Sequence, residues 1–185
     1  MEAVKLTFLE LASTRSSVRS FQPTPVPREA LVQCVEAARL APSAENSQPW
    51  RYLIVDDPQV KERLARYAFS GIYRATLWAA QAPVLVVLFA RLDLLANRLG
   101  RRITGIPYYL IDIGISGEHF VLQAHELGLG TCWIGWFSAR GVKKAVAAPL
   151  GYRPSAMLAV GYPAHSTLRA KRRRPLEEIY RFNGF

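Results

Sequence analysis

The apolar positions of this chain fall into short continuous runs and longer helically spaced ones. Pro83 to Ala90 is short, uninterrupted and rich in Val and Leu, which predicts a strand buried on both faces. Arg51–Val55 reads as a second strand and Met157–Val160 as a further candidate. Helical spacing governs most of the rest. Leu6, Phe8, Leu9 and Leu11 make a short opening helix that ends near Ser13 and Thr14. Pro27 stands as the first residue of a helix to about Ala41, with Leu31, Val32, Val35, Ala38 and Leu40 on or near its buried face. Asp56-Asp57-Pro58 starts another, running through Tyr67. Pro107 opens a long apolar helix that ends at Gly128 and Gly130. Within it, Gly114 and Gly117 lack side chains at i,i+3 spacing. This predicts the close approach of another helix, one from a second subunit among the options.

The connections are polar or stiff. Pro23, Pro25 and Pro27 keep Phe21–Pro27 extended, and Pro42–Pro49 is a polar loop. Leu92–Gly105 is helical in composition and carries Arg98, Arg101 and Arg102. With no repeat, linker or low-complexity stretch, residues 1–185 read as one mixed α+β domain, a modest sheet flanked by helices.

Composition narrows the class. Half of the 185 residues are apolar, which is globular. The longest apolar runs are far too short to cross a bilayer, so no membrane is expected. The N-terminus lacks the apolar block of a signal peptide. Cys34 and Cys132 lie far apart without metal or CxxC spacing, which reads as two reduced, buried thiols in a cytoplasmic protein. The net charge of +10 favours anionic partners such as phosphates, dinucleotides, nucleic acid or an acidic membrane. The dense run Lys171–Arg174 has no interleaved aromatics and no recognisable nucleic-acid motif, so nucleic acid is not expected.

Familiar catalytic constellations are missing: no GxSxG, Walker loop, HExxH or strand-linked GxGxxG occurs. His119 and His125 fall about 120° apart around their helix and cannot share a ligand sphere. They read as structural or interface residues, as do Glu118 and Glu126, and Asp112 reads as a satisfied core carboxylate. No metal site and no catalytic side chain is expected. A cofactor must carry any chemistry.

Two segments suggest which one. Arg15-Ser16-Ser17-Val18-Arg19 offers two guanidinium forks and two hydroxyls, the fixed charge and short donors that a phosphate monoester takes. Alone, it equally describes an exposed helix end. Pro42-Ser43-Ala44-Glu45-Asn46-Ser47-Gln48-Pro49-Trp50 is more specific: a proline-stiffened loop whose hydroxyl, amide and backbone groups match a flavin's ring edge and ribityl chain, with Trp50 and Tyr52 anchoring it to the sheet.

These two segments in order, followed by Gly128–Gly135 and by Lys171–Arg174 before Pro175-Leu176-Glu177-Glu178, resemble the nitroreductase family of FMN-dependent oxidoreductases. The resemblance runs from about residue 8 to 180. It implies an α+β fold with a central, mostly antiparallel sheet flanked by helices. It also implies an intertwined homodimer with FMN at its interface. Arg15, Ser16, Ser17 and Arg19 would hold the phosphate and nearby flavin atoms, with Lys171 and Arg173 returning to the same phosphate. Pro42, Ser43, Ala44, Asn46 and Gln48 would border the flavin, in part from the partner subunit. Trp133, Ile134, Gly135 and Trp136 would lie along the ring. About 91–106 corresponds to a variable segment near the pocket and about 165–185 to a C-terminal extension. Ala44 stands where a second serine is frequent, and Trp136 where larger members carry an acid and a glycine before their aromatic. The implied activity is hydride transfer from NADH or NADPH, a transient electron donor, to a small oxidant such as a nitroaromatic or quinone, by a ping-pong scheme with Arg19 near the reduced ring. A dehydrogenase or dehalogenase of the same fold, or a polyanion-binding regulatory protein, is the alternative.

Overall fold

A computed structural model describes residues 7–91, 106–165 and 171–184. Its centre is a four-stranded sheet of order β1-β2-β4-β3, every neighbour antiparallel: β1 Trp50–Val55, β2 Val84–Arg91, β3 Gly130–Ile134 and β4 Tyr152–Gly161. β2 is buried from Val84 to Ala90, as its unbroken apolar run requires. Alternate residues serve the two faces. Val84, Val86 and Leu88 join Leu158 and Val160 beneath α2 (Arg28–Arg39) and α4 (Tyr108–Glu126). Leu85, Val87 and Phe89 join Met157 and Ala159 beneath α3 (Pro58–Ala68) and α5 (Ala139–Ala145). α1 (Phe8–Thr14) lies outside, against α4.

The prolines act where the sequence places them. Pro27 and Pro107 are the N-cap residues of α2 and α4, and Asp57 caps α3 by accepting from Val60 N at 2.9 Å. β4 begins well before Met157 because the sheet tolerates Pro154. A register shift between Leu88 and Phe89 sits opposite it and absorbs the missing donor. Both thiols are free and buried, and burial pushes Cys34 up to about 12.

Three elements escape the periodicity: β3, α5 and a long 3₁₀ segment, Gly71–Gln81. The expected burial of α2 is also narrower than its spacing suggests. Leu31 and Ala38 are buried, whereas Val32 and Leu40 are 63% and 66% exposed. The two helix glycines part company as well. A Cβ on Gly117 would meet Trp133 Cη2 at 2.1 Å, so the close neighbour is a sheet residue and not another helix. Gly114 is exposed, with nothing within 4 Å of its Cβ position. Arg98, Arg101 and Arg102 lie outside the described residues.

Candidate functional site

Arg15 follows directly on α1, whose start is held by a capping box. Thr7 N donates to Glu10 Oε2 at 2.7 Å and Glu10 N to Thr7 Oγ1 at 3.3 Å. The chain then extends and docks on the free edge of β3. Ser17 bridges Thr131 in parallel, and Val18 N donates to Thr131 O at 2.9 Å. Gly130 permits this approach, because a Cβ there would lie 2.6 Å from Val18 Cγ2. The preceding turn is a Schellman motif: Gly128 N donates to His125 O at 3.0 Å, Leu129 N to Ala124 O at 2.8 Å, and Gly128 has φ +76°.

These pieces enclose a cavity of about 130 Å³, lined by Arg15, Ser16, His125 and the Gly128–Thr131 backbone. Lys171, from the far end of the sequence, donates to Ala12 O at 2.5 Å. Its ammonium is held below its ordinary value, first by lost hydration, then by Arg15 and Arg173, with Glu118 opposing. Glu118 is the acid that faces this group. Its Oε1 is 3.9 Å from Arg15 Nε, and its Oε2 accepts from Trp133 Nε1 at 3.2 Å. The cavity and its margin thus gather the Arg15 and Lys171 charges, whose mutual repulsion the single carboxylate of Glu118 opposes and an entering anion would offset further.

Glu118 and His125 read as structural in the sequence, yet both belong to this cluster. Their seven-residue spacing was the available signal, since it puts them about 20° apart on one helix face. Thr14 Oγ1 donates to Glu10 O at 2.7 Å, leaving a lone pair to accept from His125 Nε2 at 2.9 Å. His125 is held below the ordinary histidine value by burial first, then by Arg15 and Lys171. The unfolded chain therefore takes up a proton near pH ~6.5 that the folded chain resists. The stabilising contribution is present above that pH and is lost on acidification. The thermal midpoint is expected to fall between pH 7 and 5, and to fall less in His125→Gln; equal slopes in melts of both proteins would refute this assignment.

The Pro42–Pro49 loop is pre-shaped and exposed from Ala44 to Gln48, with Pro49 buried. Ser43 Oγ accepts from Gln48 N at 2.9 Å, and Gln48 Nε2 donates to Asn46 Oδ1 at 2.8 Å. Glu45, Asn46 and Gln48 all have positive φ. Asp112, buried in α4, accepts from Ala44 N at 3.0 Å, which is the satisfied carboxylate expected. Trp50 is buried, and Tyr52 stacks on Phe120 at 5.7 Å. Ser116 Oγ donates to Ala38 O at 2.9 Å, so Tyr52 donates to Ser116 at 2.8 Å; burial pushes the phenol up to about 12.

The remaining expected residues lie around β3. Gly135 and Trp136 are exposed just past its end and Ile134 is buried. Trp136 donates from Nε1 to Ile72 O at 2.9 Å and packs on Tyr73 at 5.3 Å. Arg19 is exposed with its guanidinium 5.8 Å from the Trp78 ring centre. The structure brings Arg15, Ser16 and Lys171 together with His125 and Glu118. It keeps the Pro42–Pro49 loop of the same chain apart: the loop hangs on Asp112 and the cavity on His125, about 20 Å distant along α4. Among the described residues there is no group that could hold a metal ion and no helix long and apolar enough to cross a membrane.

Comparison with known proteins agrees over nearly the whole chain. The Nitroreductase family model matches residues 12–162. A protein of Thermus thermophilus named NADH dehydrogenase is 30% identical over 91% of this chain and 92% of its own. An iodotyrosine deiodinase of Thermotoga neapolitana is 28% identical over 95% and 97%. A solved nitroreductase family protein from Clostridium difficile superposes with a TM-score of 0.82 at 28% identity, covering 97% of this chain and 100% of that one.

Proposed function

Because the chain belongs to the nitroreductase family, an oxidoreductase family whose fold it shares, we propose that it binds FMN as a homodimer and reduces a small oxidant at the expense of NADH or NADPH. One observation carries the reading: Arg15 and Ser16 line a phosphate-sized cavity, and Lys171, from the opposite end of the chain, docks on Ala12 close enough for its charge to act on Arg15. When bound, FMN supplies hydride transfer from the nicotinamide to the oxidant in two half-reactions. The chain's residues bind and tune. Arg15, Lys171 and Arg173 would hold the phosphate, with Ser16, Ser17 and the Gly130–Thr131 backbone supplying short donors. Trp133 and the Ile134–Trp136 segment would exclude water along the ring. Arg19 would offset the negative charge that reduction adds. No side chain is required as nucleophile.

The separation of the two motifs supports the dimer. In one chain the Pro42, Ser43, Ala44, Asn46 and Gln48 loop is far from the phosphate cavity. A second copy, related by a two-fold axis, supplies its own loop to this chain's flavin. The surface for it is present: Tyr108, Leu110 and Ile111 on α4 are exposed apolar residues beside the bare Gly114. We expect Gly114→Arg to give monomers by sedimentation velocity and to lose flavin with the dimer. A dimeric, flavin-loaded Gly114→Arg would sink this placement.

Purified protein should be yellow, or take up added FMN, and oxidise NADH or NADPH with quinone or nitroaromatic acceptors. Colourless protein that fails to bind FMN overturns the reading. The deiodinase relative keeps reductive dehalogenation as the second reading. Iodide release from an iodophenol, without turnover of quinones, would select it. The two buried thiols fit a reducing compartment, and we place the protein in the cytoplasm.

A further inference from the structure

A second cleft, about 610 Å³, opens between α3 and the Gly71–Gln81 segment, remote in sequence from the residues of the phosphate cavity. Its floor is apolar: Ala65 in α3 and Phe69 just past its end are almost fully buried, and Leu77 and Ala80 line the other side. Its rim carries Lys61, Arg66 and Arg74 against a single acid, Glu62. Lys61 is half-buried, donates to Ala82 O at 2.7 Å, and is held below its ordinary value by lost hydration.

The backbone that forms this wall is itself unusual. Gly71–Gln81 is eleven residues of 3₁₀ helix, whereas runs beyond about four are uncommon. With ~3.0 residues per turn, side chains three apart eclipse. One ridge, Gly71, Arg74, Leu77 and Ala80, lines the cleft. The next, Tyr73, Thr76 and Ala79, faces inward. Tyr73 packs on Trp136, and Thr76 Oγ1 donates to Trp136 O at 2.8 Å. The third lays Trp78 beneath Arg19. Only a period of three sorts the residues so that one ridge is wholly given to the cleft; a 3.6-residue period would have turned Leu77 and Ala80 away.

We propose that this cleft is a second binding site, for a small organic anion with an apolar body, that is, an aliphatic or aromatic carboxylate. The volume lies within the range of small-molecule sites (~300–1,000 Å³). The apolar floor would take the body, and Arg66 and Arg74 the carboxylate, as charge complementarity requires. Because the same 3₁₀ segment holds Trp136 and Trp78 on its other ridges, occupancy changes their surroundings and is visible in tryptophan fluorescence.

The experiment titrates the full-length protein with decanoate below its micelle concentration, read by fluorescence and by calorimetry. Decanol serves as the uncharged body, and acetate as the charge without a body. The expected result is saturable decanoate binding, at least ten-fold tighter than decanol or acetate. Arg74→Glu should weaken it at least ten-fold, while Arg140→Glu, an exposed change of the same charge outside the cleft, should leave it unchanged. Arg74→Gln replaces Arg74→Glu if thermal melts show the latter unfolded. Absence of saturable binding overturns the proposal, as does equal binding of decanol. Comparable binding of acetate, or equal loss in Arg140→Glu, would mean bulk charge attraction and overturn it too.

Discussion

Arg15→Glu is expected to purify colourless and to bind FMN at least a hundred-fold more weakly than the parent protein. The Arg15 side chain is only 19% exposed, and Arg15 lines the phosphate-sized cavity with Ser16 and His125. Removing one partner of a buried, hydrogen-bonded charge pair costs about 2–5 kcal/mol, and each ~1.4 kcal/mol is a factor of ten in affinity. The reversed charge then repels the phosphate instead of merely failing to hold it. Arg15→Lys should fall between, since it keeps the charge and loses the two-pronged donor geometry. The flavin-free variant should melt no lower than flavin-free parent protein, because Arg15 meets Glu118 only at 3.9 Å while Lys171 opposes it. Equilibrium dialysis or flavin-fluorescence titration measures the affinity. Parent-like retention of FMN in Arg15→Glu would remove the phosphate from this cavity. A bound phosphate offsets the Arg15 and Lys171 charges that oppose protonation of His125, so acid destabilisation should be smaller with FMN bound.

The second large effect is expected at Gly117. Inside a helix, Gly→Ala ordinarily stabilises by about 1 kcal/mol. Here the added methyl would lie 2.1 Å from Trp133 Cη2, 2.7 Å from Cζ2 and 2.9 Å from Leu88 Cδ2. None of these atoms yields easily. The indole is rigid, starts from a sheet strand and is tied to Glu118 through Nε1; Leu88 is fully buried in β2. Overpacking of this kind costs about 1–3 kcal/mol, which outweighs the propensity gain. At ~2–4 °C per kcal/mol for a chain of this size, Gly117→Ala should melt several degrees lower, with altered Trp133 fluorescence. An unchanged or raised melting temperature would show that Trp133 can move aside.

Local chemistry made much of this protein legible without coordinates. The buried central strand, the proline-initiated helices, Asp57 as a cap and the stiff Pro42–Pro49 loop each depend on residues within a few positions of one another. Periodicity and capping report such interactions directly. The Arg15–Arg19 cluster and the Lys171–Arg174 run were also visible as chemistry. β3 and α5 were not, being too short for a period to establish itself.

Sequence alone determined the α+β class, most element boundaries and the residue types able to meet a flavin phosphate. Only the tertiary structure decided which of them meet. It brought Lys171 to Ala12 beside Arg15 and added His125 and Glu118 to the cluster. It set Gly117 against Trp133 while leaving Gly114 bare, and it aligned Arg74, Leu77 and Ala80 along one wall of a second cleft. The reason is physical. A propensity or a cap is settled by neighbours in the chain. A cavity, a close approach or an electrostatic cluster is settled by packing between segments far apart in sequence, whose mutual position no single segment encodes.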